Sequence, residues 1–142
     1  MLVEIEAKTY GPDSTPEEVA ALRARVSHVE PGYILYREIP CASEFHLNLL
    51  FDRVEELAQA HGCHYMLVDL SESRRPNAEQ RRQLKQRLKS LGEAIHAAAI
   101  FTEKNVLLTT AARFVVAGVP QRVTVHRTRQ QAVAALEAAR RG

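Results

Sequence analysis

Four times in this chain a short apolar run is followed by a polar capping residue and an amphipathic stretch of helical period, and that order constrains the fold most. Residues 33–39 (YILYREI) read as a strand from their β-branched and aromatic content, and Ser43 then caps a helix to about His61, where Gly62 stops it. Leu50, Val54 and Leu57 fall at i, i+4 and i+7 on one face of that helix, which needs a cover. Residues 65–70 (YMLVDL) are apolar without alternation until Asp69, as in a central parallel strand buried on both faces. Asn77 opens a second helix to about Leu91, with Leu84, Leu88 and Leu91 as its stripe and Gly92 as its end. Residues 95–101 (IHAAAIF) read as a third strand, after which Asn105 is expected to cap a helix where Leu108, Ala111 and Val115 share a face. Gly118 and Pro120 end that helix. A last strand, 123–126, leads to a capping box from Thr128 to Gln131 and a helix turning Ala132, Val133 and Leu136 inward.

Parallel neighbours require a crossover, and a helix is the usual one, so the prediction is an α/β fold: a mixed, mostly parallel sheet flanked by helices. The N-terminal part departs from the repeat. Thr15-Pro-Glu-Glu18 starts a short helix, residues 24–29 alternate as a strand, and Glu30-Pro-Gly32 turns the chain back onto 33–39 as an antiparallel hairpin. Residues 2–5 are expected to add an extended piece. A chain of 142 residues is one domain, read here as an N-terminal extension, 1–23, and a core, 24–142.

Apolar residues make up 46% of the chain and charged residues 25%, which excludes general disorder, and a formal charge of +2 excludes a uniformly polyanion-binding surface. The apolar runs fall well short of the roughly 18–20 residues that span a bilayer, and no basic leader opens the sequence, so the expected location is cytoplasmic. Cys41 and Cys63 do not make a disulfide framework and read as buried thiols.

Partners of open parallel sheets meet the carboxyl ends of the strands, so the candidate binding residues are Asp69, Ser71, Ser73, Arg74, Arg75, Asn77 and Glu79 from one loop and helix start, with Thr102, Lys104 and Asn105 from the next. Arg74 and Arg75 could hold a phosphate or carboxylate beside a helix N-terminus; the plainer reading pairs Glu72 with those arginines in a solvated connection. From Arg74 to Lys89 seven basic residues stand against one acid, Glu79. That stretch suits an acidic or phosphorylated protein partner, or is a solvated helix face. Interleaved aromatics and nucleic-acid reading motifs are absent, so nucleic acid is not expected. His61-Gly-Cys63-His64 lacks the spacing of a zinc site, His46 lies five residues after Cys41 without a third orienting group, and Asp69 with Glu103 could pair as carboxylates across neighbouring strands. There is no glycine-rich phosphate loop, nucleophile elbow or dinucleotide fingerprint, and no cofactor or metal is expected. The expectation is a binding domain rather than an enzyme.

Met66-Leu-Val-Asp-Leu-Ser71, followed by a loop and helix, resembles the strand ending in Asp-Leu-Ser of the STAS family, the sulfate-transporter and anti-sigma-factor-antagonist domains. The likeness covers residues 24–140 and is nearest the antagonist-like bacterial branch. It implies a cytoplasmic signalling domain that binds a protein through the loop and helix after the Asp69 strand. Members of that branch carry Asp-Ser-Ser-Gly at the helix start, with a serine that is phosphorylated to switch binding off. Here the motif falls on Asn77-Ala78-Glu79-Gln80, which leaves no serine and sets Glu79 at the phosphorylated position as a fixed charge. The alternative expectation is a small-ligand binder, for lipid or anion, walled by the apolar residues 106–116. A homodimer through the edge strand of the hairpin is also considered, with Arg23 and Arg25 shielding that edge.

Overall fold

A computed structural model describes residues 7–142. The expected extended piece at residues 2–5 lies outside the described residues. Among the described residues five strands form one sheet in the order β1-β2-β3-β4-β5: β1 (Val26–Val29), β2 (Tyr33–Arg37), β3 (Tyr65–Asp69), β4 (Ala97–Phe101) and β5 (Arg122–His126). The β1–β2 pair is antiparallel and the other three pairings are parallel, so the predicted mixed sheet with its opening hairpin is the fold. The turn between β1 and β2 contains a cis Glu30–Pro31 bond and Gly32 at φ 142°, a backbone region that glycine adopts without a Cβ clash.

The helices are α1 (Pro16–Arg23), α2 (Glu44–His61), α3 (Ala78–Ser90), α4 (Leu107–Val116) and α5 (Arg129–Arg141), with one 3₁₀ turn at Gly92–Ala94. Thr15, Ser43, Asn77 and Thr128 each accept a hydrogen bond from the backbone N–H three residues on, and that third residue bonds back to the cap. These reciprocal caps satisfy N–H groups that a helix start leaves open. The α4 start differs from expectation. Val106 is its cap position and makes no side-chain bond, whereas Asn105 donates from Nδ2 to the Ser73 carbonyl, 2.7 Å away.

Alternation along the strands divides the core. Ile34, Tyr36, Met66, Val68, Ala98 and Ile100 face one side with α2, α3 and α4; Tyr33, Leu35, Leu67, Ala99 and Phe101 face the other with Ala132 and Leu136 of α5. The strand β3 is therefore covered on both faces. Leu50, Val54, Leu57, Leu88, Leu91, Leu108, Ala111 and Val115 are buried as their spacing predicts. Tyr10 and Leu22 also enter the core, so the chain before residue 24 helps to build it. Arg25 turns inward and is 6% exposed, and Arg23 pairs with Glu56 on α2, so neither shields the hairpin edge as expected. Cys63 is buried, but Cys41 is half-buried, a correction to its reading as a core thiol.

Candidate functional site: the carboxyl edge of the sheet and its α3–α4 cover

Register brings Arg37, Asp69, Phe101 and His126 side by side, so the strands end together and the loops after β2, β3 and β4 share one edge. The loop after β3 is held from several directions. The Asp69 carboxylate accepts from the Ser71 N–H at 2.8 Å, Ser73 N–H donates to the Leu70 carbonyl and Arg74 N–H to the Pro40 carbonyl. Glu72 is the loop's electrostatic anchor, and its partners are not Arg74 and Arg75. It accepts from Arg25 at 2.6 Å and lies 3.5 Å from Arg37, both on the hairpin. The Arg25 hydrogen bond, opposed by partial burial and aided by both guanidinium charges, holds the Glu72 carboxyl below its ordinary range. Arg25 also donates to the Glu38 carbonyl at 2.9 Å, so the guanidinium joins three parts of the edge.

That arrangement leaves Arg74 and Arg75 exposed, without a side-chain hydrogen bond or ion pair among the described residues. They serve different surfaces: Arg74 borders a cavity under the helices, and Arg75 borders a groove between α3 and α4. Arg75, Arg81, Arg82 and Lys85 line that groove together with Leu107 and Phe114 of α4. Leu107 is 81% and Phe114 68% exposed. Seven residues apart, they lie two turns along one helix face. The inward stripe of α4 dominates the sequence pattern, and this second stripe is legible there only as apolar residues out of phase with Leu108, Ala111 and Val115.

The other candidates divide between surface and interior. Ser71 and Lys104 are exposed; Asn77 caps α3 and accepts from Gln80, and Glu79 pairs with Arg82 on the next turn. The Asn77–Gln80 cap therefore occupies part of the helix N-terminus expected to meet an anion. Thr102 is a correction: it is fully buried and bonds Thr109 at 3.3 Å, because the first residue beyond β4 still lies under α4. Asn105 is half-buried and ties the two loops together through Ser73. Asp69 and Glu103 do not form a carboxylate pair, since Asp69 closes its own turn and Glu103 accepts from the Arg129 N–H at 3.2 Å.

Beneath α3 and α4 is a cavity of about 70 Å³, walled by apolar residues of β2, β3, β4, α2, α3 and α4. Tyr36 and Glu38 reach it from the end of β2. Glu38, 3% exposed, accepts from Tyr36 Oη at 3.0 Å and from the Ile39 N–H at 2.9 Å, and its Oε1 lies 2.5 Å from His46 Nε2. Burial raises the Tyr36 hydroxyl well above its usual pKa, reinforced by the Glu38 charge. Ser43, His46 and Glu38 have the residue types of a hydrolytic triad but a different geometry. Both imidazole nitrogens are taken up, Nδ1 by the Ser43 backbone N–H at 2.8 Å and Nε2 by Glu38, while Ser43 Oγ donates to the Tyr10 carbonyl. Among the described residues the Ser43 hydroxyl meets the Tyr10 carbonyl and the His46 N–H and no base, so the group caps α2 rather than activating a nucleophile. At the opposite end of the sheet, His61 stacks on His28 and His64 on His96. No cluster suited to a metal occurs among the described residues, and no described helix is long and apolar enough to cross a membrane.

No protein-family model matches this chain, and no curated protein matches it.

Proposed function

We propose that this chain is a non-enzymatic regulatory or scaffold domain whose α3–α4 face, with the loop before α3, binds an acidic amphipathic segment of a partner protein. The observation that carries the proposal is the groove itself, with cationic Arg75, Arg81, Arg82 and Lys85 beside exposed Leu107 and Phe114. Large apolar side chains at the surface are an incentive to association, and covering each fully contributes about 1.5–3 kcal/mol. The cations select acidic partners and speed their encounter. An apolar strip and a basic rim in one concave surface suit a helix that carries leucine on one face and glutamate beside it.

The resemblance of Met66–Ser71 to the STAS family supports the same face, since that family regulates through the loop and helix after this strand. On that reading the protein is a bacterial cytoplasmic signalling component. Glu79, paired with Arg82, stands where antagonist members carry the phosphorylated serine, so the interaction is set permanently rather than switched there.

The test is fluorescence anisotropy with a labelled acidic amphipathic peptide, a scrambled control and a basic counterpart, alongside anionic vesicles. The acidic peptide should bind and weaken about tenfold or more both in Leu107→Ser/Phe114→Ser and in Arg75→Glu/Arg82→Glu. Equal binding of the basic peptide, indifference to both variants, or capture by vesicles in preference to peptide would overturn the proposal.

A further inference from the structure

We infer that the cavity beneath α3 and α4 is a binding site for a small uncharged molecule with a compact hydrocarbon body, seated among Met66, Leu84, Leu88, Ile100, Ala112 and Val115. The site lies under the α3–α4 groove, with Ala111 and Val115 bordering both, and it does not depend on the partner-binding proposal.

The wall of the cavity carries the argument. Among the described residues its polar side chains are Tyr36, Glu38, Ser73 and Arg74, from the end of β2 and the loop after β3, and every other side chain that lines it is apolar. The polar groups are engaged within the protein itself. Tyr36 Oη donates to Glu38 at 3.0 Å, and Glu38 also accepts from the Ile39 N–H at 2.9 Å and lies 2.5 Å from His46 Nε2. His46 Nδ1 lies 2.8 Å from the Ser43 nitrogen and 2.9 Å from its carbonyl oxygen, so the ring has a partner at both nitrogens in either protonation state. The Arg87 charge also reaches Tyr36. Whichever way His46 and Glu38 share their proton, this corner is closed on itself and calls for no ion from a ligand. Ser73 Oγ donates to the Arg74 carbonyl at 3.0 Å, and Arg74 is exposed, with its charge in water.

What remains is apolar space. Native interiors have few voids larger than a water, and a water needs about 10–15 Å³ of such room, so 70 Å³ takes on the order of five non-hydrogen atoms. Between the sheet and the two helices a water would lack the polar partners that hold it, because the backbone there is bonded within the sheet and the helices. A charged group would leave water without a partner in return. A neutral hydrocarbon loses nothing by entering and restores the dispersion contacts that the lining lacks. Entry is at the loop end, where Arg74 is exposed and Ser73 and Pro76 are half-buried. The cover that yields to admit a ligand is α3, since Leu88 is its one buried residue.

The probes are isopentane, isobutanol, isobutylamine and isobutyrate, alike in branching and different in head group. Binding to the full chain is followed by methyl NMR shifts of Met66, Leu84 and Ile100, three residues that line the cavity. Isopentane and isobutanol should shift these signals and compete with each other, and isobutanol should bind at least tenfold more tightly than either ion. Ala112→Leu, which fills the cavity, should abolish binding of both neutral probes. If Ala112→Leu fails to fold by circular dichroism, the smaller Ala112→Val takes its place and should weaken isobutanol at least threefold. The inference is overturned if neither neutral probe gives a saturable shift, if an ion binds as tightly as isobutanol, or if isobutanol binds the folded Ala112 variant as well as it binds wild type.

Discussion

The two faces of the sheet are built from the same strands by the same alternation, yet they are closed differently. On one face α5 starts at a reciprocal cap and lays Ala132 and Leu136 against Tyr33, Leu67, Ala99 and Phe101, with Leu136 1% exposed. On the other, α2 is anchored by seven buried residues, but the rest of the cover falls to α3 and α4. There α3 buries only Leu88, which is still 8% exposed, and α4 starts without a side-chain cap and turns Leu107 and Phe114 outward. The α5 face is a stabilising layer. The α3–α4 face combines room beneath it with an unfinished surface above it, which is where binding can be accommodated without dismantling the core.

The comparison breaks most directly at its anchors. Leu136→Ala should cost about 2–5 kcal/mol in urea unfolding and Leu88→Ala clearly less, because the α3 site can collapse around a smaller side chain. Equal losses would mean that α3 is as firmly held as α5. Arg25→Ala should destabilise by about 2–3 kcal/mol, since it leaves the Arg37 and Glu38 carbonyls short of a donor and frees the loop bordering the cavity. Retained stability would show that the loop is held without it.

Tyr36→Phe should cost about 1–1.5 kcal/mol at neutral pH through the lost bond to Glu38. It should also flatten the alkaline limb. The folded-state pKa of Tyr36 is raised above the ordinary 10.0, so its contribution is complete below about pH 10 and is lost as pH rises and the unfolded chain ionises first. An unchanged alkaline limb would remove Tyr36 from that account.

Glu72 works in the opposite direction. Its folded pKa is lowered below 4.5, so the stability it contributes is present above that value and is lost as pH falls through the folded pKa. Because its side chain is half exposed, Glu72→Gln should cost less than about 1 kcal/mol at pH 7, a gap that closes by strongly acidic pH. A gap that persists in acid would assign the loss to packing. Smallest of all, Leu107→Ser/Phe114→Ser should leave stability within about 0.5 kcal/mol of wild type, as surface positions do. A large loss would make those residues part of the fold rather than of a binding surface.

Much of the fold was legible because its signals are local. The caps at Thr15, Ser43, Asn77 and Thr128 are formed with residues three positions away, and the leucine spacings of α2 and α3 directly describe one helix face. The alternating strands and the hairpin turn follow from equally short-range chemistry. The candidate edge was legible for the same reason, since an α/β crossover places the loops after β3 and β4 together. What the edge does with its charges was not. Asn105 had the chemistry of a cap and became a strut between loops because the Ser73 carbonyl, 32 positions away, lies within its reach.

Sequence by itself therefore determined the elements and their succession along the chain, the mixed sheet and the concentration of basic residues on α3, whereas the order of strands within the sheet came from the tertiary structure. Tertiary structure alone decided that Glu72 pairs with Arg25 across 47 positions, that Arg74 and Arg75 are left unpaired among the described residues, and that Glu38 meets His46 at a cavity wall. The reason is range. Helix caps and periodic faces depend on torsions and neighbours within a few residues, whereas ion pairing and cavity lining depend on strand register and helix docking, which bring together groups that no local pattern associates.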